Sequence, residues 1–247
     1  MIKVYLYQDY VHNNSILHQR LQAFFGADAV TYCDADAIID GALDQTVNLL
    51  VMPGGADLFY CEKLNGAGNQ QINDYVHNGG AYLGICAGAY YACARLDWLP
   101  KVERAKINGP RELAFHAGSA SGPIRDYICQ QDYDHIWDGV ARLSWQGEEI
   151  KSLYRAGPLF EAEQGEATIA HYADLKGTPP AIMQCTVGKG QAVLCSPHIE
   201  CQSEDYRKIL YRHRNPDFDY CNALIEELAP DDMRRDALWR DVLGSLL

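Results

Sequence analysis

The chain has 247 residues, 48% of them hydrophobic, enough to build a sizeable core without disulfide or metal staples. Its formal net charge of -12 argues against the clustered Lys and Arg with which phosphate-backbone binders displace counterions, so neither nucleic acid nor an anionic membrane is an expected partner. Nine cysteines, an odd count without a CxxC pair, read as reduced thiols rather than a disulfide framework.

The start, MIKVYLYQDY, lacks the basic region, long apolar run and small-residue cleavage site of a signal peptide, and no apolar stretch is long enough to span a bilayer. The expected location is cytoplasmic. IKVYLY (2–7) is β-branched and aromatic and predicts a strand. SILHQRLQAFF (15–25) places Ile16, Leu17, Leu21, Phe24 and Phe25 at helical spacing after a candidate cap, Asn14. AVTYC (29–33), VNLLVM (47–52) and AYLGIC (81–86) predict three more strands, with a helix over 68–79 between the last two. Near-continuous apolar strands separated by helices are the pattern of a parallel sheet covered on both faces, so the expected fold is α/β, an open doubly wound, mostly parallel, flavodoxin-like sheet.

Residues 100–160 carry a weaker signal. NGPRELAFHAGSASGPI reads as a surface loop or insertion that includes His116, and VARLSWQG and IKSLYRAG read as short strands of a small antiparallel excursion. AIMQCTV (181–187) and QAVLCSP (191–197) flank GKG as a hairpin. DDMRRDALWRDVLGSLL closes the chain as an amphipathic helix candidate. With no internal repeat and no low-complexity linker, residues 1–247 read as one domain.

Three strand ends carry chemistry. Cys86 follows the fourth strand, with Gly84 two residues before it and Gly88 two after, the spacing of a nucleophile elbow in which small neighbours leave room for a sharp strand-to-helix turn. By itself this pattern is equally compatible with a small buried core residue. In VMPGGADLFY (51–60), Gly54 and Gly55 follow the third strand, where their N–H groups, with that of Ala87, can form an oxyanion hole; a plain tight turn is the commoner use of Gly-Gly. In SPHIE (196–200), His198 can take a thiol proton while Glu200 orients its ring, and strand alternation would put the two on one side. HxE alone is a poor zinc signature, so no metal is expected. Asp57, Tyr60, Asn69 and Tyr90 flank these motifs and are candidates for contact with substrate, although the tyrosines would equally serve as packing. Cys61, Cys93 and Cys195 are assigned structural roles.

PGG at 53–55, GICAG at 84–88 and PHIE at 197–200 resemble, in order, the motifs of the class I glutamine amidotransferase superfamily. The resemblance implies a Cys86, His198 and Glu200 triad, an oxyanion hole at Gly54, Gly55 and Ala87, and no cofactor. Within the superfamily, MPGGADLFYCEKLNGAGNQQINDYVHNGGAYLGICAGAYYA is similar to the N-terminal, amidotransferase-like domain of eukaryotic-type biotin–protein ligases, which also occurs as a stand-alone bacterial protein. No GRGRxG-type loop for biotinyl-adenylate is present, so biotin attachment by this chain alone is not expected. Many glutaminase members carry a glutamine four residues after the nucleophile, where this chain has Tyr90. The intracellular protease-like branch commonly has a histidine directly after the cysteine, where this chain has Ala87. Two readings follow. One is a cysteine-dependent amidohydrolase or amidotransferase-like enzyme for a small amide or glutamine-like substrate. The other is a catalytically silent binding or regulatory module that serves a biotin ligase or synthetase in trans.

Overall fold

The computed structural model describes residues 2–9, 11, 14–99, 106–128, 138–161, 166–210 and 218–247. The predicted βα alternation is present. β1 (Val4–Tyr7), α1 (Asn14–Phe25), β2 (Val30–Cys33), α2 (Ala35–Ile39) and β3 (Leu49–Met52) come first, then α3 (Asp57–Leu64), α4 (Ala67–His77), β4 (Ala81–Ile85) and α5 (Ala87–Tyr91). Asn14 is the first residue of α1 and its side-chain amide donates to the Tyr7 carbonyl at 3.0 Å, tying the helix to β1.

A nine-stranded sheet runs β2-β1-β3-β4-β13-β12-β11-β8-β9, where β8 is Asp138–Trp145, β9 Glu148–Arg155, β11 Ala167–Tyr172, β12 Pro180–Val187 and β13 Gly190–Cys195. From β2 to β13 every pairing is parallel; β12, β11, β8 and β9 extend the sheet antiparallel. The antiparallel excursion is thus real, but it is an extension of the main sheet. β12 and β13 form the expected hairpin around Gly188 and Lys189.

Period-2 alternation divides the core between the sheet's two faces. Leu49, Val51, Leu83, Ile85 and Val193 face one layer, closed by Leu17 and Leu21 of α1 and by Leu238, Trp239, Val242 and Leu243 of the expected C-terminal helix, α8 (Asp232–Ser245), which follows α6 (Ser203–Leu210) and α7 (Phe218–Leu228). Leu50, Met52, Tyr82 and Leu194 face the other, closed by α2 to α5. Strands buried on both faces need no polar alternation, which is why β3 and β4 read as solid apolar runs.

The loop expected at 109–122 is corrected. β5 (Cys93–Trp98), β6 (Ile107–Pro110), β7 (His116–Gly122) and β10 (Leu159–Phe160) form a second sheet, ordered β10-β7-β5-β6, whose Leu96, Ala120 and Phe160 pack into the second core layer. His116 is likewise not a surface residue: it opens β7 and is fully buried. The small residues of HAGSASG hid this strand, since Gly, Ser and Ala carry no β signal of their own. Among the described residues, no helix is long and apolar enough to cross a membrane.

Candidate active site

β4 stops at Ile85 and α5 starts at Ala87, so Cys86 alone makes the reversal, at φ 51° and ψ -103°. A positive φ at a non-glycine residue costs on the order of 1–3 kcal/mol and is held only when the surroundings over-determine it. Here they do. A Cβ on Gly84 would stand 2.5 Å from the Gly88 carbonyl oxygen, and one on Gly88 would stand 2.1 Å from that of Met52. Both glycines of the GxCxG pattern are therefore places where strand, turn and helix pack backbone to backbone. The Cys86 N–H donates to Cys195 O at 2.9 Å and the Gly88 N–H to Pro53 O at 3.1 Å, tying the turn to the ends of β13 and β3.

His198 is pinned by its N–H to Leu153 O at 2.8 Å, and its Nδ1 lies 2.7 Å from Glu200 Oε1, both side chains being buried. The expected reason for this pairing does not hold: β13 has ended, and residues 199–200 form a turn that folds the carboxylate back onto the ring. The other side of the ring is turned toward the thiol, close enough for the Cys86 sulfur to raise the His198 pKa. A Cβ on Gly54 would lie 3.0 Å from His198 Cε1 and 3.6 Å from both His198 Nε2 and Cys86 Cβ, so glycine loop, imidazole and thiol converge at one point. Burial acts to lower the His198 pKa; the Glu200 charge, the neighbouring Cys86 sulfur and the hydrogen bond with Glu200 overcome it and push the value up to about 10. The surroundings favour the imidazolium. Sequence reasoning missed Arg235, fully buried on α8, which donates from Nε to Cys201 O at 3.0 Å and from Nη1 to Lys151 O at 2.7 Å, clamping the residue after Glu200 against β9.

A cavity of about 230 Å³ opens beside the thiol, walled by Gly55, Asp57, Cys86, Ala87, Tyr90 and Arg155 together with Leu96, Trp98 and Ile107 of the second sheet. Asp57 and Tyr90 face it; Tyr60 and Asn69 are not among its lining residues. Tyr60 lies behind the glycine loop, its hydroxyl donating to Pro53 O at 2.9 Å. Asn69 accepts from the Tyr91 hydroxyl at 2.6 Å and donates to Glu112 at 2.8 Å. The Asp57 carboxylate is already paired with Arg111 Nε at 2.6 Å. The Cys86 thiol donates to Arg155 O at 3.3 Å and the Tyr90 hydroxyl to Ala156 O at 3.1 Å, so residues 155 and 156 lie against the elbow. Ala87 is the first residue of α5, where a helix has no internal acceptor for the N–H. Cys93 and Cys195 are buried and Cys61 half-buried. A larger open groove, about 600 Å³, is lined by residues such as Val47, Asn48, Gly79 and Gly80, which precede β3 and β4. It lies at the amino ends of the strands, away from Cys86, whereas sites in open α/β sheets form at the carboxyl ends.

Comparison with known proteins agrees with this architecture. A solved structure titled PurLQS from Thermotoga maritima superposes with a TM-score of 0.54 at 14% identity, over 85% of this chain and 96% of that one; this is a likeness of fold, the amidotransferase fold. An uncharacterized protein of Chlamydia muridarum is 37% identical over 164 residues, 64% of this chain and 62% of that protein. The biotin–protein ligase of Schizosaccharomyces pombe is 31% identical over 187 residues, 71% of this chain and only 29% of the ligase. The chain thus spans less than two thirds of either relative's length. The family model described as "Biotin-protein ligase, N terminal" matches residues 10–247, and the chain belongs to that family.

Proposed function

We propose that the chain is a cysteine-dependent amidohydrolase or amidotransferase-like enzyme acting on a small amide. The observation that carries this reading is the His198 ring, held by Glu200 at Nδ1 and turned toward the Cys86 thiol, which itself lines a cavity. In the proposed step Cys86 Sγ, its proton passed to His198, attacks the amide carbon, and the C–S bond forms as the carbonyl π pair moves onto oxygen. The N–H groups of Gly54, Gly55 and Ala87 receive that oxyanion. The pair returns, the C–N bond breaks, and the His198 imidazolium protonates the departing amine. Water, deprotonated by His198, then cleaves the thioester and restores the thiol. Glu200 keeps the ring oriented throughout.

The cavity chemistry supports an amide with an apolar body rather than free glutamine. Trp98, Leu96, Ile107 and Tyr90 line it, and among its described lining residues the carboxylate, Asp57, is already engaged by Arg111 and the cation, Arg155, by Asp138. A second reading, the silent module that acts with a biotin ligase in trans, is supported by the thiol's hydrogen bond to Arg155 O and by Tyr90 at the position where glutaminases carry glutamine. The two are separated by exposing wild type and Cys86→Ala to a glutamine-like chloroketone and a panel of acyl amides with aliphatic and aromatic groups, following adducts by intact mass and amine release by assay. Amine release that needs Cys86 supports the enzyme. Adducts at Cys86 without release from any amide would leave only the module.

A further inference from the structure

A second group of Cys, His and Glu side chains lies away from the elbow, between the two sheets. His116 opens β7, Cys185 lies on β12, and Glu166 immediately precedes β11. One donor atom from each lies within 4.8 Å of the other two. His116 Nδ1 is 2.7 Å from Glu166 Oε2, and the Cys185 thiol is 3.5 Å from Glu166 Oε1. His116 and Cys185 are buried at 0% and 1% exposure, in a layer otherwise filled by residues such as Met183, Ala192 and Phe160.

We propose that His116, Glu166 and Cys185 bind one zinc-class divalent cation that fastens the second sheet to the main one. The donor set decides the class: thiolate with imidazole selects a borderline-soft ion, whereas magnesium and calcium take oxygen ligands. For a point about 2.0–2.3 Å from each donor, the 2.7 Å contact opens and the three donors, within 4.8 Å of one another, close round the ion. His116 Nε2 is buried with no hydrogen-bond partner, so the ring meets the group through Nδ1. With Nδ1 bound to the cation, Nε2 carries the ring proton. Cys93, the register partner of His116 on β5, brings a second sulfur near the group.

Binding exchanges the Cys185 thiol proton for the cation and releases it to solvent. The consequence reaches the candidate active site, because β5 and β6 of the fastened sheet supply Leu96, Trp98 and Ile107 of the cavity wall. The site does not depend on the catalytic reading.

The test titrates Co²⁺, then Zn²⁺, into the full chain bearing Cys86→Ser, which removes the elbow thiol as a competing ligand. One equivalent with a thiolate-to-cobalt charge-transfer band is expected, displaced by zinc. Loss of a ligand in Cys185→Ser or His116→Ala should weaken binding by more than the roughly 10–100-fold typical of outer partners. Absence of stoichiometric binding, or binding unchanged in both variants, overturns the proposal. Should those variants fail to fold, X-ray absorption of the zinc-loaded Cys86→Ser chain decides: sulfur at about 2.3 Å with nitrogen or oxygen at about 2.0–2.2 Å is expected, and a shell without sulfur overturns it.

Discussion

Gly54→Ala adds one methyl group where glycine loop, imidazole and thiol meet. Gly54 is not among the positive-φ residues, so its backbone accepts alanine, and the reduced freedom of the unfolded chain alone adds about 0.4–1 kcal/mol of stability. The methyl, however, would lie 3.0 Å from His198 Cε1. Carbon atoms rest about 3.5–4.0 Å apart, so the ring must retreat by roughly 0.5–1 Å. Misplacement of a reacting group by about 1 Å costs on the order of 100-fold, and a retreat of half that is expected to cost on the order of tenfold. The assay is the second-order rate of Cys86 alkylation at pH 6–7, with a urea midpoint measured in parallel. The expected result is stability within about 1 kcal/mol of wild type and a rate about tenfold lower. A wild-type rate in a folded variant would refute the claim that His198 acts on this thiol from its observed position.

Glu200→Gln removes the charge that raises His198. A pKa raised from 6.5 to about 10 contributes stability that is complete below 6.5 and lost as the pH climbs to about 10, so the wild-type advantage in urea midpoint should be largest near pH 6 and shrink towards pH 10; a gap that does not vary with pH argues against it. Arg111→Met strands the buried Asp57 carboxylate, and chemical denaturation should show a loss of about 3–5 kcal/mol that adding Asp57→Asn largely restores. If the single variant is as stable as wild type, the pair is not the support described. Tyr90→Phe deletes one hydrogen bond to Ala156 O and should cost about 0.5–1.5 kcal/mol by the same measurement; a loss well beyond that range would mean a larger role for the hydroxyl.

The parallel half of the fold was legible because its central strands β3 and β4 are buried throughout and the turns that follow them carry glycine. The same is true of the elbow: Gly84 and Gly88 are in the sequence for steric reasons that the structure makes explicit. His198 and Glu200 were identified as a pair, yet for a reason that fails, since a turn and not strand alternation joins them. What could not be read was whatever depends on pairing between distant segments. The second sheet uses short polar strands whose partners lie far along the chain, so Leu96, Trp98 and Ile107 gave no sign of forming a cavity wall. His116 looked like a loop residue because its neighbours are glycine, serine and alanine, and its burial arises from Phe160 and the main sheet. Arg235 sits in an amphipathic helix where a charge reads as solvent-facing, and only the carbonyls of Lys151, Cys201 and Leu228 reveal that it is enclosed.

The central claim is that His198, held by Glu200, governs the reactivity of Cys86. The most direct measurement is the pH profile of Cys86 alkylation by iodoacetamide, read by intact mass and peptide mapping, in wild type, His198→Ala and Glu200→Gln. An imidazolium beside the sulfur should keep wild type at least about tenfold faster than His198→Ala at pH 6, with Glu200→Gln in between and the gap closing towards pH 10. Superimposable profiles in three folded proteins would contradict the account, leaving Cys86 a buried thiol at a well-packed turn.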